Sequence, residues 1–265
     1  MVISDQDGQQ QYRLEHQRPD YQLGPEYRCG ATVDLYDSPH LTTLATQAAG
    51  DRHLRFLTPP QPNATAIPVC LCEDDYPGWI SPRSLPSLQP SDTPYQAPVW
   101  SAKEIGDRLP QIIAYTQAAM AQGNYYRWGG TVGPSYDCSG LMQAAFRSVG
   151  VWIPRDAYLQ EPFTQPVPLN QLQPGDLIFF GPPERANHVA LYLGEGRYVH
   201  SSGKAMGRNG IGIDVLYRAG DDPPMENAIS RAYFQQIHGA GRVISSYQPT
   251  GTPMRAIAIE SSVHG

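Results

Sequence analysis

One segment divides this chain before any other feature can be read: SLPSLQPSDTPYQAPVW, Ser84 to Trp100. Proline lacks the N–H that a strand ladder needs and disrupts a helix interior, so neither element can run through it. The segment reads as a linker or wrapped crossover, placed at residues 87–100. The chain differs on its two sides. Residues 21–86 hold short β-like runs between turns (EYRCGATVDLY, DRHLRFL, AIPVCLC, GWISPRSL), a spacing that predicts a small β-barrel. Residues 101–247 place helices first and antiparallel strands after, an α+β order rather than alternating βαβ units. Residues 1–20 are polar and Gln-rich, and residues 248–265 read as a tail.

Within the second region, SAKEIGDRLPQIIAYTQAAMAQGN opens with a capping box, Ser101 to Glu104, and continues with helical periodicity. Pro110 is expected to kink or divide that helix. DCSGLMQAAFRSVG predicts a second helix, with Leu141, Met142, Ala145 and Phe146 on one face and Gly150 as its C-terminal cap. Strands are expected over DLIFFG, HVALYLG, RYVHSSG and GIGIDVLY, and a last helix over MENAISRAYFQQIHG.

Charge and cysteine usage narrow the functional classes. The formal net charge is −6, which argues against a broad nucleic-acid surface. The N-terminus has no basic start followed by an apolar run, and no stretch of about 18 apolar residues exists, so neither a signal peptide nor a membrane span is expected. That reading puts the protein in the cytoplasm. Of the four cysteines, Cys29, Cys70 and Cys72 are expected to be packing residues. A disulfide framework is out of keeping with this length and no leader. A metal site built on them is also not expected, since only the C-x-C pair is close, and no cofactor is implied.

Cys138 is different. A helix starting at Asp137 or Cys138 sets its thiol beside unpaired N–H groups and the positive end of the macrodipole, which favours a thiolate. Asp137 suits the N-cap. Read locally, Cys138 is either a nucleophile or a buried residue of an ordinary helix. A nucleophile needs a base, and two of the seven histidines, His188 and His200, lie in consecutive strand-like runs. A two-residue loop, Glu195-Gly196, would pair His200 with Leu191 and turn the two rings to opposite faces. A three-residue loop or a bulge would pair His200 with Ala190 and set the rings on one face as diagonal neighbours. That second register is expected. His188 would then accept the thiol proton or hold it as an ion pair, and His200 would fix the tautomer of His188. The alternative, a metal pair with Cys138, lacks a further ligand at suitable spacing.

These residues together resemble the NlpC/P60 family of cell-wall cysteine peptidases over about 145 residues, Ala102 to Tyr247. YYRWGGTVGPSYDCSGLM is similar to the family's nucleophile motif, and IPRDAYLQ to its I-P-R-x-(S/A)-x-x-Q segment. LQPGDLIFF is similar to its turn-and-strand motif, and HVALYLGEGRYVHSSG to its histidine hairpin. The order Cys, His, His separates the chain from permuted acyltransferase relatives. The resemblance implies a papain-like α+β core with Cys138, His188 and His200 as catalytic residues. It also implies cleavage of peptidoglycan stem peptides between D-Glu, through its γ-carboxyl, and a diamino acid such as diaminopimelate. The N-terminal half resembles, more loosely, a bacterial SH3 domain, an arrangement found in γ-D-glutamyl-L-diamino acid endopeptidases.

The acidic run CEDDYPGW, Cys72 to Trp79, is either a solvated turn or a substrate-reading loop. A stem peptide freed from glycan begins with an L-Ala ammonium, which carboxylates and a tyrosine hydroxyl can bind. On the second reading Glu73, Asp75 and Tyr76, with Asp156, recognise that amine. Trp128, Asp137 and Ser139 complete the expected substrate-contacting group. Arg155 and Asp156 are expected either to pair with each other or to reach the substrate. Asp176 is expected to be a turn residue. The expected activity is therefore hydrolysis of free L-Ala-γ-D-Glu-diaminopimelate in wall-peptide recycling or turnover. The competing readings are a non-catalytic wall-binding protein, and an acyltransferase or amidase on the same scaffold.

Overall fold

The Pro/Ser segment separates two antiparallel sheets, but its first residues belong to the earlier one. The computed structural model describes residues 24–216 and 228–255. The polar stretch 1–20, the first residues of the last expected helix and the tail beyond 255 lie outside the described residues. The first sheet has seven strands: β1 (Glu26–Cys29), β2 (Val33–Tyr36), β3 (Leu44–Ala48), β4 (His53–Phe56), β5 (Ile67–Leu71), β6 (Pro77–Ile80) and β7 (Leu88–Pro90). Their order is β3-β2-β6-β5-β4-β1-β7, an SH3-like antiparallel arrangement. Alternation builds its core: in β2, Val33 and Leu35 are buried while Asp34 and Tyr36 are half-buried. Cys29, Leu54, Ile67, Val69 and Ile80 fill the same core. Strand β7 lies inside the expected linker. Its proline is tolerated because β7 is an edge strand, paired only with β1.

The second region begins with α1 (Ala102–Met120), whose capping box is present in both halves, Ser101 to Glu104 and back. The helix runs through Pro110 rather than dividing there. Both Pro110 and Gly106, whose carbonyl loses its partner, face solvent, where water can satisfy the freed group. Two helices follow, α2 (Cys138–Arg147) and α3 (Ala157–Phe163). Then come β8 (Gln165–Pro166), β9 (Leu177–Phe180), β10 (His188–Gly194), β11 (Arg197–Ser202), β12 (Gly210–Val215), α4 (Ala228–Phe234) and β13 (Ile237–Arg242). The six strands lie in the order β12-β11-β10-β9-β13-β8. The last helix ends at Phe234, earlier than its sequence suggested. From Ile237 the chain is a strand, and the small Gly239–Ala240–Gly241 run lets it lie against β9.

Helix α2 packs its apolar face on this sheet. Leu141, Met142, Ala145 and Phe146 are fully buried and share one core with Leu177, Phe179, Val189 and Val199. Burying each large side chain contributes roughly 1.5–3 kcal/mol, so α2 is firmly held where it carries Cys138. The two regions are joined by polar contacts around the start of α2. Arg155 Nε donates to Thr46 Oγ1 at 2.9 Å, and Gln143 donates to Asp74 at 2.8 Å. Gly129 completes the joint. Its φ is +74°, and a Cβ there would sit 2.5 Å from the Leu44 carbonyl oxygen, so only glycine fits.

Candidate active site

Cys138 is the first residue of α2 and Asp137 is its N-cap, accepting the Gly140 N–H at 2.7 Å. The thiol lies against the N–H groups of Val189 and Ser139, which brings it beside the start of β10. Burial works against the thiolate that the helix start favours. Burial, followed by the neighbouring Asp137 charge, pushes the thiol up to about 12, outweighing the two N–H groups that favour the anion. Asp137 has further duties: it accepts Gly129 N–H at 2.8 Å and Arg155 Nη2 at 2.6 Å. Arg155 is 1% exposed and its ion pair is with Asp137, not with Asp156. Ser139 Oγ accepts Arg155 Nη1 at 2.9 Å. Asp137 and Ser139 thus shape the cleft wall with polar groups already engaged.

The histidine hairpin adopts the shared-face register by a route combining the two alternatives. β10 and β11 pair Leu191 with Val199, Tyr192 with Tyr198 and Gly194 with Arg197, so Leu193 is the extra residue of a bulge. The loop itself has two residues, Glu195 and Gly196, at φ 53° and 70°, as a primed two-residue turn requires. The bulge restores the odd count, and His200 falls beside Ala190. His188 Nε2 lies 2.7 Å from His200 Nδ1, and His200 Nε2 lies 2.7 Å from Asp214 Oδ2.

This relay determines the tautomers. An ionised Asp214 only accepts, so His200 Nε2 carries the proton and its Nδ1 is a lone pair. His188 Nε2 must then donate to it, which leaves His188 Nδ1 as the basic atom. Asp214 is held ionised: burial alone would raise it, but the bond and charge of His200, with Arg208, outweigh this and lower it. Arg208 Nη2 and Ser230 Oγ also bond Asp214, at 2.7 and 3.0 Å. Burial, then His200, holds His188 well below the ordinary imidazole range, so its resting form is neutral. Tyr233 of α4 stacks on His188 with centroids 4.5 Å apart, and its hydroxyl bonds Ser202 at 2.7 Å, fixing the ring plane.

A cavity of about 330 Å³ opens over Cys138, lined by both regions of the chain. The first sheet contributes Asp37, Leu44, Ala45 and Tyr76, and the second region Tyr126, Trp128, Asp156 and Tyr158 among others. Trp128 stands at its rim, 67% exposed. Two members of the expected amine-reading group are not there. Glu73 is bound by Arg52 Nε at 3.1 Å and by His53 N–H at 2.6 Å. Asp75, fully buried, is bound by Arg55 and by the N–H groups of Thr250 and Gly251. Both carboxylates are satisfied inside the protein and line no part of the cavity. Tyr76 and Asp156 do line it, with the hydroxyl 3.4 Å from Asp156 Oδ1. Asp156 occupies the N-cap position of α3 but makes no capping bond, and it has no ion pair among the described residues. It accepts a bond from Tyr158, and burial pushes its carboxyl upward against the opposing pull of the Arg155 and Arg255 charges.

Sequence reasoning missed Asp214, Arg208, Tyr233 and Asp37. A signal existed for Asp214: it is the lone charge in the apolar run GIGIDV, and β12 sets it opposite Tyr198, diagonal to His200. Gly212, opposite His200, leaves the space that the Arg208 guanidinium crosses to reach Asp214. Asp176, expected in a turn, accepts Gln173 N–H at 2.7 Å and also pairs with Arg242. Among the described residues no helix is long and apolar enough to cross a membrane, and no group of three or more His, Cys, Asp or Glu is placed to hold a metal ion.

Residues 123–234 match the model of the NlpC/P60 family, and residues 35–85 match that of the bacterial dipeptidyl-peptidase SH3 domain. A probable endopeptidase of Mycobacterium tuberculosis is 42% identical over 98 residues, which is 37% of this chain and 24% of that protein. The gamma-D-glutamyl-L-lysine dipeptidyl-peptidase of Bacillus subtilis is 43% identical over 101 residues, 37% of this chain and 32% of that protein. The matches therefore span about a quarter to a third of these relatives. The crystal structure of an NlpC/P60 family protein from Bacillus cereus is 24% identical, with 85% of this chain and 65% of that chain covered, at a TM-score of 0.43.

Proposed function

The chain carries an NlpC/P60 cysteine peptidase domain behind a bacterial SH3 domain, and from that premise we propose that it hydrolyses the bond between γ-D-Glu and a diamino acid in peptidoglycan stem peptides. The observation that carries this reading is the ordered relay Asp214–His200–His188 behind a thiol at a helix start. Cys138 Sγ attacks the γ-carbonyl carbon while His188 Nδ1 takes its proton. Because burial disfavours both the thiolate and the imidazolium, attack is accompanied by proton transfer to His188. The imidazolium is stabilised through His200 by Asp214. The developing oxyanion meets the Cys138 N–H, which has no intrahelical partner, and the hydroxyl of Tyr126, which lines the same cavity as the thiol. His188 then protonates the leaving amine of the diamino acid. Water, deprotonated by the same nitrogen, hydrolyses the thioester, releasing L-Ala-D-Glu and regenerating the thiol.

Specificity for a free N-terminal L-Ala follows from the unpaired Asp156 carboxylate, flanked by the hydroxyls of Tyr76 and Tyr158. A half-buried carboxylate with no bonded cation favours an ammonium. Asp37, from the first sheet, adds negative charge to the same cavity. Peptides still joined to glycan lack that ammonium, so the substrates are released stem peptides, the material of wall-peptide turnover and recycling.

The test is incubation with L-Ala-γ-D-Glu-meso-diaminopimelate, followed by mass spectrometry. Wild type should release free diaminopimelate, and Cys138→Ala should lose roughly 10³-fold or more in rate, the scale seen when a nucleophile is removed. Equal release by both proteins would rule the reading out.

A further inference from the structure

Residues 243–255, beyond the second sheet, do not trail away. They return to the first sheet and are fastened to the fully buried Asp75. Its carboxylate accepts Thr250 N–H at 2.6 Å, Gly251 N–H at 3.1 Å and the Tyr247 hydroxyl at 3.3 Å. Its backbone carbonyl accepts Met254 N–H at 2.8 Å. Arg55 ties the same carboxylate to the Gly251 carbonyl. The next residue, Arg255, is thereby delivered to the cavity wall. Its guanidinium carbon lies 4.7 Å from the centre of the Tyr76 ring.

Arg255 reaches the cavity with unmet hydrogen-bonding capacity. Its Nε and Nη2 are buried and have no hydrogen-bond partner, and it forms no ion pair among the described residues. A guanidinium keeps its charge at any accessible pH, and its planar donors match a carboxylate in two parallel bonds. Leaving such donors buried and empty is costly. Asp156 is near enough for Arg255 to favour its ionised form, but no hydrogen bond or ion pair joins the two among the described residues, so the guanidinium keeps donors for an anion. Arg185 also lines the cavity, stacked on Tyr158 at 4.7 Å, but it is exposed and hydrated. Arg255 is therefore the stronger anion site of the two.

Position selects the anion. Arg255 covers Tyr76, whose hydroxyl stands beside Asp156. A cation subsite and an anion subsite thus lie next to each other, one at the hydroxyl and one at the ring of the same tyrosine. In L-Ala-γ-D-Glu the terminal ammonium and the α-carboxylate of D-Glu are separated by a single peptide unit. That carboxylate is also the only anion between the ammonium and the scissile bond. We propose that Arg255, held by the Asp75-anchored C-terminal strap, binds the free α-carboxylate of D-Glu and makes the enzyme discriminate against stem peptides in which that carboxylate is an amide. The inference rests on the proposed stem-peptide reading and adds a specificity residue from outside the matched peptidase segment, 123–234.

The test is calorimetric binding to full-length Cys138→Ala protein, which separates recognition from turnover. The ligands are L-Ala-γ-D-Glu-diaminopimelate and the same peptide with the D-Glu α-carboxylate as a primary amide. The acid form should bind roughly tenfold to a hundredfold more tightly, the scale of a charge-assisted hydrogen bond. Adding Arg255→Gln should bring the two ligands to within about twofold, while Arg255→Lys should keep part of the preference. An acid preference that survives Arg255→Gln, or two ligands that bind the parent equally, overturns the Arg255 assignment and leaves the peptidase reading standing. Failure of the parent to bind either peptide overturns both.

Discussion

Two groups of carboxylates lie within one small part of this molecule, and they differ in a single respect. Glu73, Asp74 and Asp75 stand consecutively in the sequence, and each is matched by an arginine: Arg52 takes the first two and Arg55 the third. Asp156, about 80 residues later, is bonded by tyrosine hydroxyls, and Arg155 and Arg255 act on it without forming an ion pair among the described residues. The first group is structural glue, joining the two regions through Gln143 and anchoring the C-terminal strap. The second has oxygens with no bonded cation among the described residues. Buried carboxylates are free to read a ligand only when the protein has not already neutralised them. The density of acidic residues in a loop says nothing about that.

Four experiments press on this difference, and the largest effect is expected from Arg52. Replacing it in Arg52→Met leaves Glu73 and Asp74 buried without their cation, at a cost of about 3–5 kcal/mol. Thermal or urea denaturation should show that loss, while the folded fraction keeps the same ratio of rates on free and N-acetylated tripeptide. Asp156→Asn should do the reverse. The kcat/KM for the free-amine peptide should drop roughly 30- to 100-fold, the range of a hydrogen bond to a charged group. Activity on the acetylated peptide should hardly change. Stability should hold or rise, because burial disfavours the Asp156 anion and Asn removes that charge. A variant that loses stability but keeps its amine preference would place Asp156 with the first group.

Acidification separates the same two groups by a smaller margin. Asp156 is raised by burial, so it protonates at a higher pH than an exposed carboxylate near 3.9. Glu73 is lowered: burial opposes its ionisation, but Arg52 and the bonds from His53 outweigh this. As pH falls, KM for the free-amine peptide should rise several-fold before stability declines. Over that interval kcat should persist, because burial and His200 depress His188 and keep its imidazole neutral and basic. A joint fall of stability and affinity in one pH step would contradict this. The smallest effect belongs to Thr250→Ala. It removes the hydroxyl bond to Asp75, 3.2 Å long, and the one the hydroxyl accepts from the Thr252 N–H, and leaves the Thr250, Gly251 and Met254 N–H bonds to Asp75 in place. A loss of about 0.5–1.5 kcal/mol is expected, with KM rising about two- to threefold as Arg255 loosens.

Much of the catalytic centre was legible along the chain. The helix start at Asp137–Cys138 and the parity of the hairpin carrying His188 and His200 both follow from local rules of capping and alternation. What those rules left open was how the odd residue would be accommodated, and the answer is a bulge at Leu193 rather than a longer loop. Asp214 escaped because its contact with His200 depends on the register of β12 against β11. That register is set by the irregular stretch around Lys204–Met206, whose geometry has no simple periodic signature. The state of the thiol escaped for another reason. A helix start lowers a thiol and burial raises it, and the depth of burial is a property of the packed fold.

The sequence by itself determined the two-region plan, the helix that carries Cys138, and the shared face of two histidines. These depend on residues close in the chain, where period, capping and proline act directly. Only the tertiary structure decided which carboxylates were neutralised, which nitrogen of His188 was left basic, and that residues after the second sheet return to the cavity with Arg255. Those outcomes depend on pairings between residues far apart in the chain, such as Arg52 with Asp74 and Asp75 with Thr250. A charge at long range finds its partner only after hydrophobic packing has fixed the distances between the elements that bear them.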